Sequence, residues 1–515
     1  MPAENHRQRW RRGSTTVMLL APAVILTVIL FMLDHRPHFM LGDSESYIMT
    51  SLDYLPPDRS WEFGLLCHYL LLAAHSLLAL EVLHLVLLLS TLVLVLRALW
   101  PDGPSGPGAG VAAAASVLGI CLDPLLQVYA RFQLSDLSAA LLFVDFVAVA
   151  AILADVPAGR NGGRRIALAA ATAGCGIAAV LLRVAYLPVE AGTLLLFAAS
   201  AWRAGRLRWA GRALVLLLVP AAALGATLEA NHLAFGHRFE HSAFTNRLSG
   251  VFLAGVFAPA LRAEDFRRAG IDVGDAEVAA MQLDQYDARV AQVWGAEPFW
   301  MRNVIARHLH ASDVYDERTD RAAHRTVMAA LRRDPAAVAG VYLHGLALFA
   351  EPGEWRRHID TELGAGHRFA PGTVAFVDAH SFPGITADSP SVPSPLAAVL
   401  RDVVGAYPAL LGLALLAAAV GLAGPLPAGP HPSGPRPTGP ADAARRLLGA
   451  ALVADILAAP LYSNFVIPRY LLAGVFVGWI LVPVALLVLV RSGLRRAAKR
   501  DPGAAGHAVR PRVRS

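Results

Sequence analysis

Long apolar runs alternate along the chain with short polar breaks. Runs near 15–33, 78–99, 109–122, 137–154, 166–182, 189–202, 212–228, 405–424, 447–465 and 471–490 are close to the length at which a helix crosses a bilayer. The pattern predicts an all-α polytopic membrane protein of about ten transmembrane helices. The first run meets no small-residue cleavage site before "DHRPHF", so it reads as a retained first helix. The continuous stretch 63–99 is too long for one span. An interfacial helix near 62–76 followed by a span accounts for it.

Between 229 and 392 the apolar density drops and Asp, Glu, Arg and His become frequent. Stretches such as 276–295 and 321–350 keep apolar residues near helical spacing, which predicts a mainly helical domain outside the membrane. Pro and Gly in 368–395 predict an irregular return to the membrane. "GPLPAGPHPSGPRPTGP" (424–440) is non-periodic and reads as a flexible linker. The expected organisation has four parts: an N-terminal transmembrane module at 1–228, an external domain at 229–392, C-terminal transmembrane helices at 393–490 and a basic tail at 491–515.

Charge orients the pattern. "AGRNGGRR" (158–165), "WRAGRLRWAGR" (202–212), "ADAARR" (441–446) and both termini are basic, and the span order puts all of them on one side. Cytoplasmic loops carry the excess of Lys and Arg. Both termini are therefore expected in the cytoplasm, with the protein in the plasma (inner) membrane. Loop 34–62 then lies outside.

Composition agrees. The chain has 515 residues, 56% hydrophobic and 16% charged, whereas soluble domains average about 25% charged. The net charge of +6 is spent at termini and short loops, and no basic aromatic groove or reading motif appears, so nucleic acid is not an expected partner. Cys67, Cys121 and Cys175 lie in or beside apolar runs, form no CxxC pair and read as buried free thiols.

The first external loop, "HFMLGDSESYIMTSLDYLPPDRSWEFG" (38–64), is rich in acids. Asp43 and Glu45 are two apart, and an extended backbone would point both to one side. Neighbouring carboxylates repel, which suits a general base with a raised pKa or a bound divalent cation. Asp53, Asp58 and Glu62 read as solvated or helix-capping residues. In the second external loop, "LDPLLQVYARFQLSDLSAALL" (122–142), Asp123, Arg131 and Asp136 stand at a membrane face, with helix capping an alternative role for Asp136. Arg183 in "LLRVAYLPVE" and Arg469 with Tyr470 in "SNFVIPRYLLAG" sit at outer span ends. External arginines there run against the charge rule, and guanidinium forks suit phosphate oxygens. Snorkelling to the interface is the plainer role for Arg183. His308 and His310, two apart on a helix, share no face and make a poor metal pair.

A span, an external loop with an acidic pair directly after it and then an interfacial helix resemble the opening of the GT-C superfamily of membrane glycosyltransferases, with a family 39, mannosyltransferase-like layout. The resemblance covers most of 15–490 in layout and a few short motifs at residue level. It implies transfer of a hexosyl or pentosyl group from a polyprenyl-phosphate-sugar donor to a lipid, polysaccharide or protein acceptor on the external face, with inversion. It implies Asp43 as the base and Glu45 as its acidic neighbour. Asp123 and Asp136 become supporting acids, and Arg131, Arg183, Arg469 and Tyr470 become binders of the lipid phosphate. No cofactor is required by the pattern, and a divalent cation on Asp43 and Glu45 is the one candidate. The competing classes are a transporter or flippase of lipid-linked glycans and a non-catalytic envelope assembly protein. A transporter would place its key charges at the midplane, where Asp145, Asp455 and, nearer an edge, Glu81 are the few acids.

Overall fold

Inside a bilayer no water can satisfy a backbone N–H or C=O, so an apolar run is stable there as a helix. The computed structural model describes residues 21–500 apart from 41–42, 54, 57–59, 102, 105, 157–161, 236–248, 281, 283–303, 312–316, 358, 364–367, 380–393, 424–439 and 464–465. The Pro/Gly-rich linker, most of 276–295, half of the return segment, the extreme N-terminus and the tail beyond 500 lie outside the described residues. The chain is an all-α, multi-pass membrane protein. Among the described residues the extended structure amounts to isolated bridges.

Among the described residues six helices are long and apolar enough to cross a membrane: Leu78–Leu99, Asp136–Ala154, Gly162–Leu182, Leu207–Ala234, Pro395–Leu422 and Pro468–Val490. Each coincides with an expected run. The other four runs fall on lesser helices. The first run is described from Ala21 to Leu33, and Pro107–Leu122 is shorter. Tyr186–Arg203 and Pro440–Ala458 carry charges such as Glu190 and Asp442 that dilute their apolar stretch. Among the described residues, six of the ten expected runs are thus long apolar helices, and the other four fall on shorter or charge-bearing ones.

The helix Asp136–Ala154 is central: its apolar window is 83% buried, against 22% for Gly162–Leu182. It packs on Leu78–Leu99, Gly162–Leu182, Pro440–Ala458 and the last long helix, Leu472–Arg500. Small residues let these helices approach, as is usual where lipid supplies no hydrophobic drive. A Cβ on Gly176 would meet Val219, Phe146 and Glu190, and one on Gly449 would meet Ala418.

The segment 34–62 is built onto this bundle. Asp43–Met49 and Trp61–Ala74 are helices that pack together. His38 and Phe132 form an isolated parallel bridge, with His38 N–H donating to Arg131 O at 2.8 Å and Gln133 N–H to His38 O at 3.0 Å. The first and second loops are therefore stitched together by backbone.

Region 229–392 separates into two packing units. Residues such as Val251, Phe257, Phe266, Ile305, Ala323 and Val327 form a second core. Phe349, Trp355, Ile359, Leu363, Phe369 and Val377 instead join the core of the bundle. The preceding helix, Leu218–Phe235, runs past the boundary expected at 228.

Candidate active site

Five chain segments deliver charged side chains to one buried point. Pro468 opens a 3-10 turn, Pro468–Leu471, that places Arg469 and Tyr470 at the mouth of the last long helix. Asp136 is the first residue of its helix, and Arg183 follows directly after Gly162–Leu182. An acid at a helix start and a base at a helix end both suit the helix dipole. Asp43 opens the short helix Asp43–Met49.

Arg469 is the hub, with only 3% of its surface exposed. Its Nη1 lies 3.2 Å from Asp43 Oδ2. Its Nε lies 3.7 Å from Asp136 Oδ1 and 3.8 Å from Glu362 Oε2. Arg183 Nη1 donates to the same Asp136 Oδ1. Arg183 Cζ stands 4.7 Å from the Tyr470 ring centre and Arg469 Cζ 5.6 Å, so the tyrosine face lies against both cations. Glu362 in turn accepts the Tyr129 hydroxyl at 2.7 Å. Burial and the adjacent Glu362 carboxylate push the Tyr129 phenol well above its ordinary range, so it stays a donor.

The helix carrying Asp43 is held in register with this hub. Tyr47 Oη lies 3.2 Å from Ser135 Oγ, one residue before Asp136. The Tyr47 ring meets Phe63 edge to face at 4.9 Å. Ser135, the N-cap residue, makes no side-chain cap bond. Asp136 faces the two arginines, where sequence left capping open.

Five of the expected residues, Asp43, Asp136, Arg183, Arg469 and Tyr470, meet here. Three do not. Glu45 is separated from Asp43 by helix geometry: residues two apart on a helix point to different sides, so the extended reading of "DSE" is corrected. Its Oε1 accepts the Ala370 N–H at 2.7 Å instead. Arg131 is fully buried elsewhere, with Nε 3.4 Å from Glu81 Oε1 and 2.6 Å from Asp34 O, and Nη2 3.1 Å from Leu30 O. Asp123 caps Pro124–Tyr129 through Leu126 N–H at 2.9 Å and accepts Tyr407 Oη at 3.0 Å and Trp479 Nε1 at 2.7 Å. Among the described residues no group of three or more His, Cys, Asp or Glu could hold a metal ion. His308 pairs with Glu277, Nε2 to Oε2 at 2.9 Å, and His310 turns away in a left-handed conformation.

Glu362 was not legible beforehand. It lies in "HIDTEL" within a stretch without periodicity, and only the tertiary fold carries it to Arg469. Tyr129 was visible as a loop aromatic, with no signal for its acidic partner.

The cluster combines three carboxylates with two guanidiniums away from bulk water. Such a group can hold an anion on its arginines while a carboxylate takes a proton. No protein-family description matches the chain, and no curated protein matches it. Two solved structures do. ArnT from Cupriavidus metallidurans bound to undecaprenyl phosphate aligns at 13% identity over 96% of this chain and 81% of that one, with a TM-score of 0.31. The apo ArnT structure from the same organism aligns at 14% identity over 96% and 80%, with a TM-score of 0.26.

Proposed function

We propose that this chain is a membrane glycosyltransferase that moves a sugar from a polyprenyl-phosphate carrier to an acceptor on the external face. The observation that carries the reading is the Arg469 hub, where Asp43 and a buried guanidinium lie 3.2 Å apart beside Arg183 and Tyr470. An acid poised next to two phosphate-seeking forks is the set that displacement at a sugar phosphate needs.

In this reading the carrier phosphate competes with the carboxylates for Arg469 and Arg183. Asp43, relieved of its cation, takes the proton of an acceptor hydroxyl. The hydroxyl oxygen bonds to the anomeric carbon as the bond from that carbon to the carrier phosphate oxygen breaks. The electron pair leaves with the phosphate, whose charge the arginines stabilise. Asp136 and Glu362 keep the two guanidiniums aimed while the site is empty of donor.

The test uses the full chain in lipid nanodiscs with polyprenyl-phosphate pentoses and hexoses and a membrane-extract acceptor, read by mass spectrometry. Release of polyprenyl phosphate with a new glycoconjugate is expected. Asp43→Asn should lower it by at least about 10²-fold at normal expression. Wild-type turnover in that variant would remove Asp43 from the base role.

A further inference from the structure

The unit built on the second core carries a basic recess. The helix Glu317–Arg333 turns Ala322, Ala323, Thr326 and Ala330 inward, where they meet the helix Ser249–Phe257. Asp320 is also turned inward. Its Oδ1 accepts the N–H groups of Gly250 at 2.8 Å and Val251 at 3.0 Å, which satisfies donors at the start of that neighbouring helix. The outer face is cationic. Arg318, Arg321 and Arg325 follow at i, i+3 and i+7, one stripe of a helix, with His324 beside them. These four side chains are the described lining of a recess of about 390 Å³.

A solvated helix face gains from alternating charge signs, and like charges at i, i+4 cost it stability. This face runs the other way: Arg321 and Arg325 are such a pair. Arg321 is paired with Glu317, whose Oε1 lies 3.2 Å from its Nη2. Arg333, at the far end of the same helix, shows what a structural arginine looks like here. It is clamped by Asp265 at 2.8 Å and Glu264 at 3.0 Å. Arg325 makes no ion pair among the described residues. Three planar forks converging on one open volume match the oxygens of a phosphate or pyrophosphate, which an isolated surface arginine does not.

We propose that this recess binds a phosphate-bearing ligand through Arg318, Arg321 and Arg325. The proposal is independent of the Arg469 hub and of sugar transfer, because none of its residues belongs to that site.

The experiment titrates inorganic pyrophosphate into the full chain in phosphatidylcholine nanodiscs by calorimetry. Saturable binding that weakens with added salt is expected. Arg318→Gln, Arg321→Gln and Arg325→Gln combined should weaken it by at least about tenfold. Arg267→Gln with Arg268→Gln, exposed in the adjoining helix Ala263–Arg268, should leave it unchanged. Glu317→Gln removes the competing acid and should tighten it, a change that a purely structural role would not give. If the triple variant unfolds, Arg325→Gln alone, with no ion pair to lose, should still weaken binding by about threefold. Repeating the titration in nanodiscs containing phosphatidylglycerol separates the sources. Loss of pyrophosphate binding there assigns the recess to lipid headgroups, and unchanged binding assigns it to a phosphate carried by a soluble ligand. Absence of saturable binding, or equal loss in the Arg267/Arg268 control, overturns the proposal.

Discussion

One arginine decides what the candidate site is. Arg469 is buried against Asp43, Asp136 and Glu362, and a buried pair broken by removing one partner leaves the others uncompensated. Arg469→Ala should therefore cost about 3–5 kcal/mol of stability, seen as a lower thermal midpoint in nanodiscs. Arg469→Lys keeps the charge but not the fork. It should fold with a smaller loss and still reduce transfer by on the order of 10²-fold. An unchanged rate in a folded Lys variant would show that the fork is not needed. Two other residues set a pH response in the segment 34–62. Burial lowers the His38 ring to about 4 from 6.5, Asp34 opposing and Arg131 and Arg36 assisting. Its neutral form is favoured by folding, so its contribution is whole above pH 6.5 and is lost as pH falls towards 4. Burial raises Glu62, in the first turn of Trp61–Ala74, to about 7 from 4.5, so it is not the solvated residue expected from sequence. Its contribution is whole below 4.5 and is lost as pH rises towards 7. Thermal midpoints measured across pH should flatten on the acid side in His38→Gln and on the neutral side in Glu62→Gln. Identical profiles in all three proteins would contradict both assignments.

At the scale of elements, the helix Asp43–Met49 is held against Trp61–Ala74 by very close packing. A Cβ on Gly64 would lie 2.3 Å from Thr50 Oγ1 and 2.7 Å from Thr50 Cβ, so the two segments touch at a glycine. Gly64→Ala should push the residues after Asp43–Met49 aside and cost about 1–3 kcal/mol together with part of the activity. In a Thr50→Gly background the same change should be much milder, and a double-mutant cycle measures the difference. Additive effects would mean that the contact does not position the loop. This element also shows where sequence reading stops. Its existence just after the first apolar run was plain, and so was the acid in it. Its conformation was not, because "DSESY" holds Ser, Asp and Glu, which suit a helix start as well as an extended loop. The choice decides whether Glu45 stands beside Asp43, and tertiary packing against Trp61–Ala74 made it. Arg131 was misjudged for a similar reason. At a membrane face an arginine looks available, but Glu81 and the carbonyls of Asp34, Gln127 and Leu30 only reach it once the helices pack.

At the scale of the whole molecule, apolar periodicity was a strong signal because lipid imposes it, and the six long apolar helices among the described residues fall where it pointed. It was weak for helices diluted by Glu190 or Asp442, whose charged groups are accommodated by packing rather than by lipid exposure. It said nothing of the split in 229–392, since both halves are helical and only contacts assign Trp355 and Phe369 to the bundle. Orientation is the largest expectation that follows from charge alone, and it carries the external placement of the Arg469 hub. It can be read directly. Asp53 and Arg208 are both exposed, and the charge pattern puts them on opposite sides. With Cys67, Cys121 and Cys175 replaced, Asp53→Cys should react with a membrane-impermeant maleimide in intact cells, and Arg208→Cys only after permeabilisation. The reverse labelling would turn the chain over. The hub would then face the cytoplasm, and the acceptor would have to be sought there.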